Sequence, residues 1–188
     1  MSERPLILHM SVSLDGFVAG RDGVIDWLTP RGAVDHGDRR HRANLEMLGQ
    51  AGLIVIGRGA YEEMAEAWSS SDSPMAVLIN SLPKIVYSQS LSEEPSWANT
   101  RISRAALGDE IPALKREPGK DIVVFGGGHL AHSLIRERLV DEYRLTVHPV
   151  ALGEGLSLMH GLPEPQRFEL ISSTTYADGS VTQVLQPA

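Results

Sequence analysis

The chain has 188 residues, 42% hydrophobic and 22% charged, with a formal net charge of −7 and no cysteine. That length suits a single domain, residues 1–188, able to bury roughly 70% of its unfolded surface without covalent staples. The negative charge excludes a general attraction to nucleic acid or anionic membranes, and the absence of thiols excludes disulfides, a thiolate zinc site and a cysteine nucleophile.

Leu6 to Val12 is an apolar run ended by Asp15-Gly16, which predicts a buried strand. Phe17 to Pro30 is rich in Gly and Asp, carries Trp27 and reads as a loop. A helix is expected over Val34 to Leu48, with Leu45 and Leu48 on its apolar face and Gly49 and Gly52 at its end. Leu53 to Ile56 is a second buried strand, and Gly57-Arg58-Gly59 turns it into a helix near Ala60 to Trp68. Ser69 to Pro74 and Gln89 to Ser96 read as loops. Lys84 to Ser88 and Asn99 to Ser103 are further strands, and Ala105 to Lys115 a helix against the propensities of Gly108 and Pro112. Asp121 to Phe125 runs as a strand into Gly126-Gly127-Gly128, and the helix that follows carries Leu130, Leu134, Ile135 and Leu139 on one stripe. Tyr143, Leu145 and Val147 alternate with Arg144, Thr146 and His148, the signature of a half-buried strand. Arg167 to Tyr176 and Ser180 to Gln186 flank Ala177-Asp178-Gly179 and predict a hairpin. Strands alternating with helices, then strands alone, imply an α/β fold with a mixed, mostly parallel sheet, helices on both faces and an antiparallel C-terminal hairpin.

No apolar run approaches the roughly 18 residues that would span a bilayer. The opening Met1-Ser2-Glu3-Arg4-Pro5 lacks the basic and apolar regions of a signal peptide, so the cytoplasm is the expected compartment.

Two strand-to-helix junctions carry the chemical signal. A buried strand that ends in glycine and opens a helix sets free backbone N–H groups at the positive helix end, where a phosphate is stabilised. Phe125-Gly126-Gly127-Gly128-His129-Leu130 has this design, and so does Gly57-Arg58-Gly59-Ala60-Tyr61, which adds a guanidinium able to grip a phosphate with two parallel bonds. One such turn alone is more often mere backbone freedom; two in one small domain suit a dinucleotide, whose phosphates lie apart. The sequence has no G-x-x-x-x-G-K-[ST] loop, and Glu62 stands where a G-x-G-x-x-G motif starting at Gly57 needs its third glycine. Neither H-E-x-x-H nor G-x-S-x-G occurs, so no metal site or serine hydrolase is expected, and His129 reads as a polar neighbour of the phosphate loop.

Met10-Ser11-Val12-Ser13-Leu14-Asp15-Gly16, Asp22-Gly23, Asp26-Trp27, Val55 to Glu62, Lys84 to Ser88, Phe125 to Gly128 and His148-Pro149-Val150 with Leu152-Gly153-Glu154-Gly155 together resemble the dihydrofolate reductase-like superfamily in its own order. The start and the Leu-Gly-Glu-Gly turn are most similar to the reductase domain of the riboflavin-biosynthesis deaminase-reductase and its stand-alone relatives. The resemblance implies a three-layer fold, a homodimer and an NADPH-dependent reduction of a pterin-like or ribosylaminopyrimidine-like ring, or of a carbonyl compound. It implies Arg58 and Gly59 near the 2′-phosphate, Gly57 and Ala60 among the other cofactor-binding residues, Ser88 beside the adenosine, and Gly126, Gly127, Gly128, His129 and Leu130 at the pyrophosphate. It sets Asp26 and Trp27 beside the substrate. The proton donor of true dihydrofolate reductases falls at Gly32, which leaves Asp35 as the candidate acid and counts against folate itself. A non-catalytic NADP(H) sensor and a true dihydrofolate reductase stand as alternatives.

Overall fold

Leu6–Ser13, strand β1, lies inside the sheet because both its faces are apolar: Leu6, Leu8, Met10 and Val12 enter one core and Ile7 the other. The structure, a computed structural model, describes residues 3–28, 39–91 and 94–188. After β1 come β2 (Phe17–Ala19), a 3-10 turn (Asp26–Leu28), α1 (Arg39–Gln50), β3 (Ala51–Gly57), α2 (Arg58–Trp68), α3 (Pro74–Ser81), β4 (Lys84–Tyr87) and β5 (Thr100–Ser103). They are followed by α4 (Leu107–Arg116), β6 (Asp121–Phe125), α5 (Gly128–Arg136), β7 (Glu142–His148), β8 (Leu156–Ser157), β9 (Phe168–Thr175) and β10 (Val181–Pro187).

The main sheet has eight strands in the order β5-β4-β3-β6-β1-β7-β10-β9. Pairing is parallel from β5 to β7, and β10 joins antiparallel to both β7 and β9. Met47 and Leu48 of α1, Tyr61 and Ala65 of α2 and Met75 and Ile79 of α3 cover the face of Ile7, while Ile111 and Leu114 of α4 and Leu130, Leu134 and Ile135 of α5 cover the other. This is the three-layer mixed α/β fold expected from the alternation of elements.

Three local readings change. Phe17–Ala19 is a short strand paired with Leu156–Ser157, not part of a loop; a pairing of two or three residues so distant in sequence leaves no periodic signal. Pro74–Ser81 is a helix. Pro74 opens it, and the Ser73 hydroxyl accepts from the Ala76 N–H at 3.3 Å, so the stop-like Ser-Pro pair is in fact a start. Leu139 lies beyond α5, which ends at Arg136. The α4 helix keeps Pro112 in its interior because Ile111 and Leu114 are buried, tertiary packing outweighing propensity.

Lys84 shows how the Ile7 face is closed. It is 1% exposed, with its ammonium 4.9 Å from the centre of the Trp97 ring. Nζ donates to the carbonyls of Ile79 and Leu82, each at 2.8 Å, at the negative end of α3. Lys84→Met keeps the volume and strands those carbonyls, so urea denaturation is expected to show a loss of about 1–3 kcal/mol.

Candidate active site

All the parallel strands end on one edge of the sheet. There β3 and β6 are neighbours, yet β3 sends α2 to the Ile7 face and β6 sends α5 to the opposite face. Adjacent strands whose connections part in this way open a crevice beyond their carboxyl ends. A Cβ on Gly127 would lie 2.7 Å from the Gly57 nitrogen, and one on Gly126 would lie 2.9 Å from Cβ of Ala60. Gly126 and Gly127 also have φ of +86° and +93°, a region that side chains rarely tolerate. These glycines are therefore required first by the contact between the two junctions, before any ligand is considered.

What the crevice offers is backbone N–H. Neither helix carries a side-chain cap: Gly57 and Gly127 are the N-caps, which leaves Arg58, Gly59 and Ala60 in one first turn and Gly128, His129 and Leu130 in the other. Two uncapped positive helix ends side by side fit a doubly charged phosphate linkage. Leu130 is buried, and His129 is exposed at the rim. Val18 of β2 and Leu156 of β8 pack over Gly128, where a Cβ would meet each at 2.6 Å.

Arg58 is about half exposed. It donates to the Ser90 hydroxyl at 2.9 Å and pairs with Glu62 at 3.9 Å. Ser88 is buried, and its hydroxyl accepts from the N–H groups of Ser90 (3.3 Å) and Leu91 (3.0 Å), so it shapes the turn that presents Arg58's partner. A cleft of about 460 Å³ between α2 and the segment after Leu91 is lined by Glu62, Glu66 and Glu94. Carboxylates disfavour a phosphate in that cleft.

At the end of β1, Asp15 accepts from the N–H groups of Leu152 at 3.1 Å and Gly153 at 2.7 Å and from the Ser13 hydroxyl at 2.6 Å. The Ser13 hydroxyl and the Gly153 N–H, the leading causes, hold its carboxyl near 2. Two of the resembling segments are thus joined across the chain. Trp27 packs edge-on against His148 at 5.5 Å, and its indole nitrogen is buried without a hydrogen bond. Asp26, next to it, is exposed. Asp35 lies outside the described residues.

Sequence reasoning passed over His9, Ser11 and His148 as site residues. Nε2 of His148 lies 3.1 Å from the Ser11 hydroxyl. His9 stacks on Phe125, with ring centroids 5.6 Å apart, and its Nδ1 is buried without a partner. The readable signal was alternation. In β1, His9, Ser11 and Ser13 take the face of Ile7, where a fully buried strand would carry apolar side chains. Among the described residues no three His, Asp or Glu converge as metal ligands, and no helix is long and apolar enough to cross a membrane.

The profile of the family described as the RibD C-terminal domain matches residues 4–182. The uncharacterized protein YyaP of Bacillus subtilis is 31% identical over 186 residues, covering 96% of this chain and 94% of YyaP. A Shewanella sp. PV-4 protein solved under a riboflavin-biosynthesis name superposes with a TM-score of 0.79 at 24% identity, covering 98% of this chain and 99% of its own. Dihydrofolate reductase from Enterococcus faecalis, complexed with NADP(H) and RAB-propyl, superposes with a TM-score of 0.62 at 13% identity, covering 99% and 98%.

Gly127→Ala should destabilise by about 2–4 kcal/mol in urea, from overpacking and a strained φ. Gly59→Ala, with open space around its Cα inside α2, should be neutral or stabilising by up to about 1 kcal/mol. Burial, aided by the Arg144 charge, pushes His9 from 6.5 down to about 4. The unfolded chain then takes up a proton that the folded chain refuses, so stability should fall as pH drops from 6.5 toward 4. Urea midpoints across that range should fall less in His9→Phe.

Proposed function

Because the chain belongs to the RibD C-terminal domain family, we propose that it is an NADPH-dependent reductase of a small heterocyclic substrate, pterin-like or ribosylaminopyrimidine-like, or of a carbonyl compound. The observation that carries this reading is the pair of uncapped helix N-termini, α2 and α5, meeting where neighbouring strands send their connections to opposite faces. The first-turn N–H groups of Gly128, His129 and Leu130 would bind the pyrophosphate. Those of Arg58, Gly59 and Ala60, with the Arg58 guanidinium, would bind the 2′-phosphate. Ser88 holds the turn on the adenosine side. A fold neighbour, the Enterococcus faecalis dihydrofolate reductase, was solved in complex with NADP(H), which supports the class of cofactor.

When bound, the cofactor supplies a hydride to an electron-poor carbon of the substrate. This chain's own residues align the ring and exclude water: Trp27 and Asp26 stand at the end of β1, and β2 with β8 covers the start of α5. Asp35 is kept as the acid of this proposal. A homodimer through β9, whose Leu170 and Ile171 are half exposed on the outer strand, belongs to the same reading.

One feature favours a sensor that binds NADP(H) without turnover: Gly32 stands where true dihydrofolate reductases carry their acid. Fluorescence titration should give NADPH binding in the micromolar range, tighter than NADH, and Arg58→Ala should erase about tenfold or more of that preference. NADPH oxidation against a panel of pterins, pyrimidines and quinones separates enzyme from sensor. Equal affinity for NADH, unchanged in Arg58→Ala, would remove the 2′-phosphate assignment.

A further inference from the structure

We propose that His148, anchored by Ser11, is a specificity-determining residue whose second ring nitrogen reads the lactam edge of the substrate; this rests on the reductase reading above. β1 and β7 are parallel neighbours, with Ser11 beside Thr146 and Ser13 beside His148. Alternation sets His9, Ser11 and Ser13 of β1 and Arg144, Thr146 and His148 of β7 on the face of Ile7, at the carboxyl ends of the strands. The apolar core of that face stops here and a polar floor begins.

Most of this floor is satisfied internally. The hydroxyls of Thr146 and Thr182 bond to each other at 2.7 Å, Arg144 donates to Glu142 at 2.6 Å, and Ser13 donates to Asp15. His148 differs. Nε2 is engaged by Ser11, whereas Nδ1 has no hydrogen-bond partner among the described residues. The edge of Trp27 fixes the ring from the side, and the unbonded indole nitrogen stands in the same place. Two adjacent rings therefore hold unused hydrogen-bonding nitrogens where the proposed substrate would lie.

The charges around His148 indicate what it can read. Arg40, on α1, donates to the Asp178 carboxylate and to the Ser180 hydroxyl, so the acid facing His148 from the hairpin is already engaged. Burial first, and the Arg40 charge second, hold the imidazole below its ordinary value, in the neutral form. A neutral imidazole has one donor and one acceptor, and Ser11 can fix either tautomer. With Nε2 taken by Ser11, Nδ1 can meet either the N–H or the C=O of an uncharged lactam. A protonated 2,4-diaminopyrimidine instead brings a positive charge toward the Arg40 guanidinium, whose Asp178 partner is already engaged.

Calorimetry on the full chain, with and without saturating NADP⁺, should compare 5,6-diaminouracil with trimethoprim, a 2,4-diaminopyrimidine. We expect diaminouracil to bind about tenfold tighter or more. His148→Leu should lose about tenfold of that affinity, the worth of one hydrogen bond. His148→Asn, which keeps a polar atom at the Nδ1 position, should stay within about threefold. Binding of diaminouracil should also shift the ¹⁵N resonance of His148 Nδ1 in the unmodified protein, a readout that does not depend on how well the variants fold. Equal or tighter binding of trimethoprim, no binding of diaminouracil, an unshifted Nδ1 resonance, or undiminished affinity in His148→Leu would each overturn the proposal. Failure of NADPH to bind the unmodified protein would instead overturn the cofactor reading, and the cofactor-free titration would still decide the role of His148.

Discussion

Where β3 and β6 pass into their helices, the backbones of Gly57 and Gly127 stand so close that a single methyl group on Gly127 would fall within 3 Å of the Gly57 nitrogen and Cα. That contact requires two parallel strands to be neighbours while their helices leave for opposite faces, so the N-termini of α2 and α5 open side by side. Two positive helix ends at such proximity repel, and neither is capped by a side chain. An anion between them would offset that repulsion. A site built in this way is set by the backbone: side chains around it can change without removing the donors, whereas Gly126 and Gly127 cannot change without moving both junctions.

The rest of the edge is organised around this crevice by polar ties between segments distant in sequence. Asp15 joins the end of β1 to the turn at Leu152 and Gly153, which brings β2 against β8 and sets Val18 and Leu156 over the start of α5. Arg40 joins the start of α1 to the hairpin turn at Asp178 and Ser180, and its guanidinium also lies over the Tyr176 ring at 5.9 Å. One tie covers the crevice and the other holds the helix that flanks the polar floor. Both use charge-assisted hydrogen bonds, the stronger class.

The elements that could be read along the chain were those whose information is local. Asp121–Phe125 was delimited to the residue, because an apolar run of five ends abruptly in three glycines. The helix at Pro74 was overlooked although Ser73 and Pro74 are good N-terminal residues, because a polar Ser-rich stretch before it outweighed them. The β2–β8 pairing and the Ser11–His148 contact were out of reach for a physical reason: each depends on the register of segments more than 130 residues apart, and neither leaves a periodic mark in one window. The glycine junctions were read as phosphate cradles, and the structure adds that their missing side chains are already accounted for by backbone packing.

Under the proposed reading, backbone and side chains divide the work of binding. The first-turn N–H groups of α5 are fixed by the fold and carry no information about the ribose. Among the described residues Arg58 is held by a hydroxyl and by an exposed pair with Glu62 at 3.9 Å, an interaction of the kind that contributes little in water. Exchanging those partners for a dianionic phosphate therefore costs little and gains two parallel charge-assisted bonds. Glu62, Glu66 and Glu94 on the neighbouring cleft act in the opposite direction, since they repel a phosphate that strays from Arg58 and would accept hydrogen bonds from a ribose diol. Preference between the two cofactors thus depends on the start of α2 and the Arg58 guanidinium, set among the described residues against Glu62, Glu66 and Glu94, while affinity for the pyrophosphate is built into the start of α5.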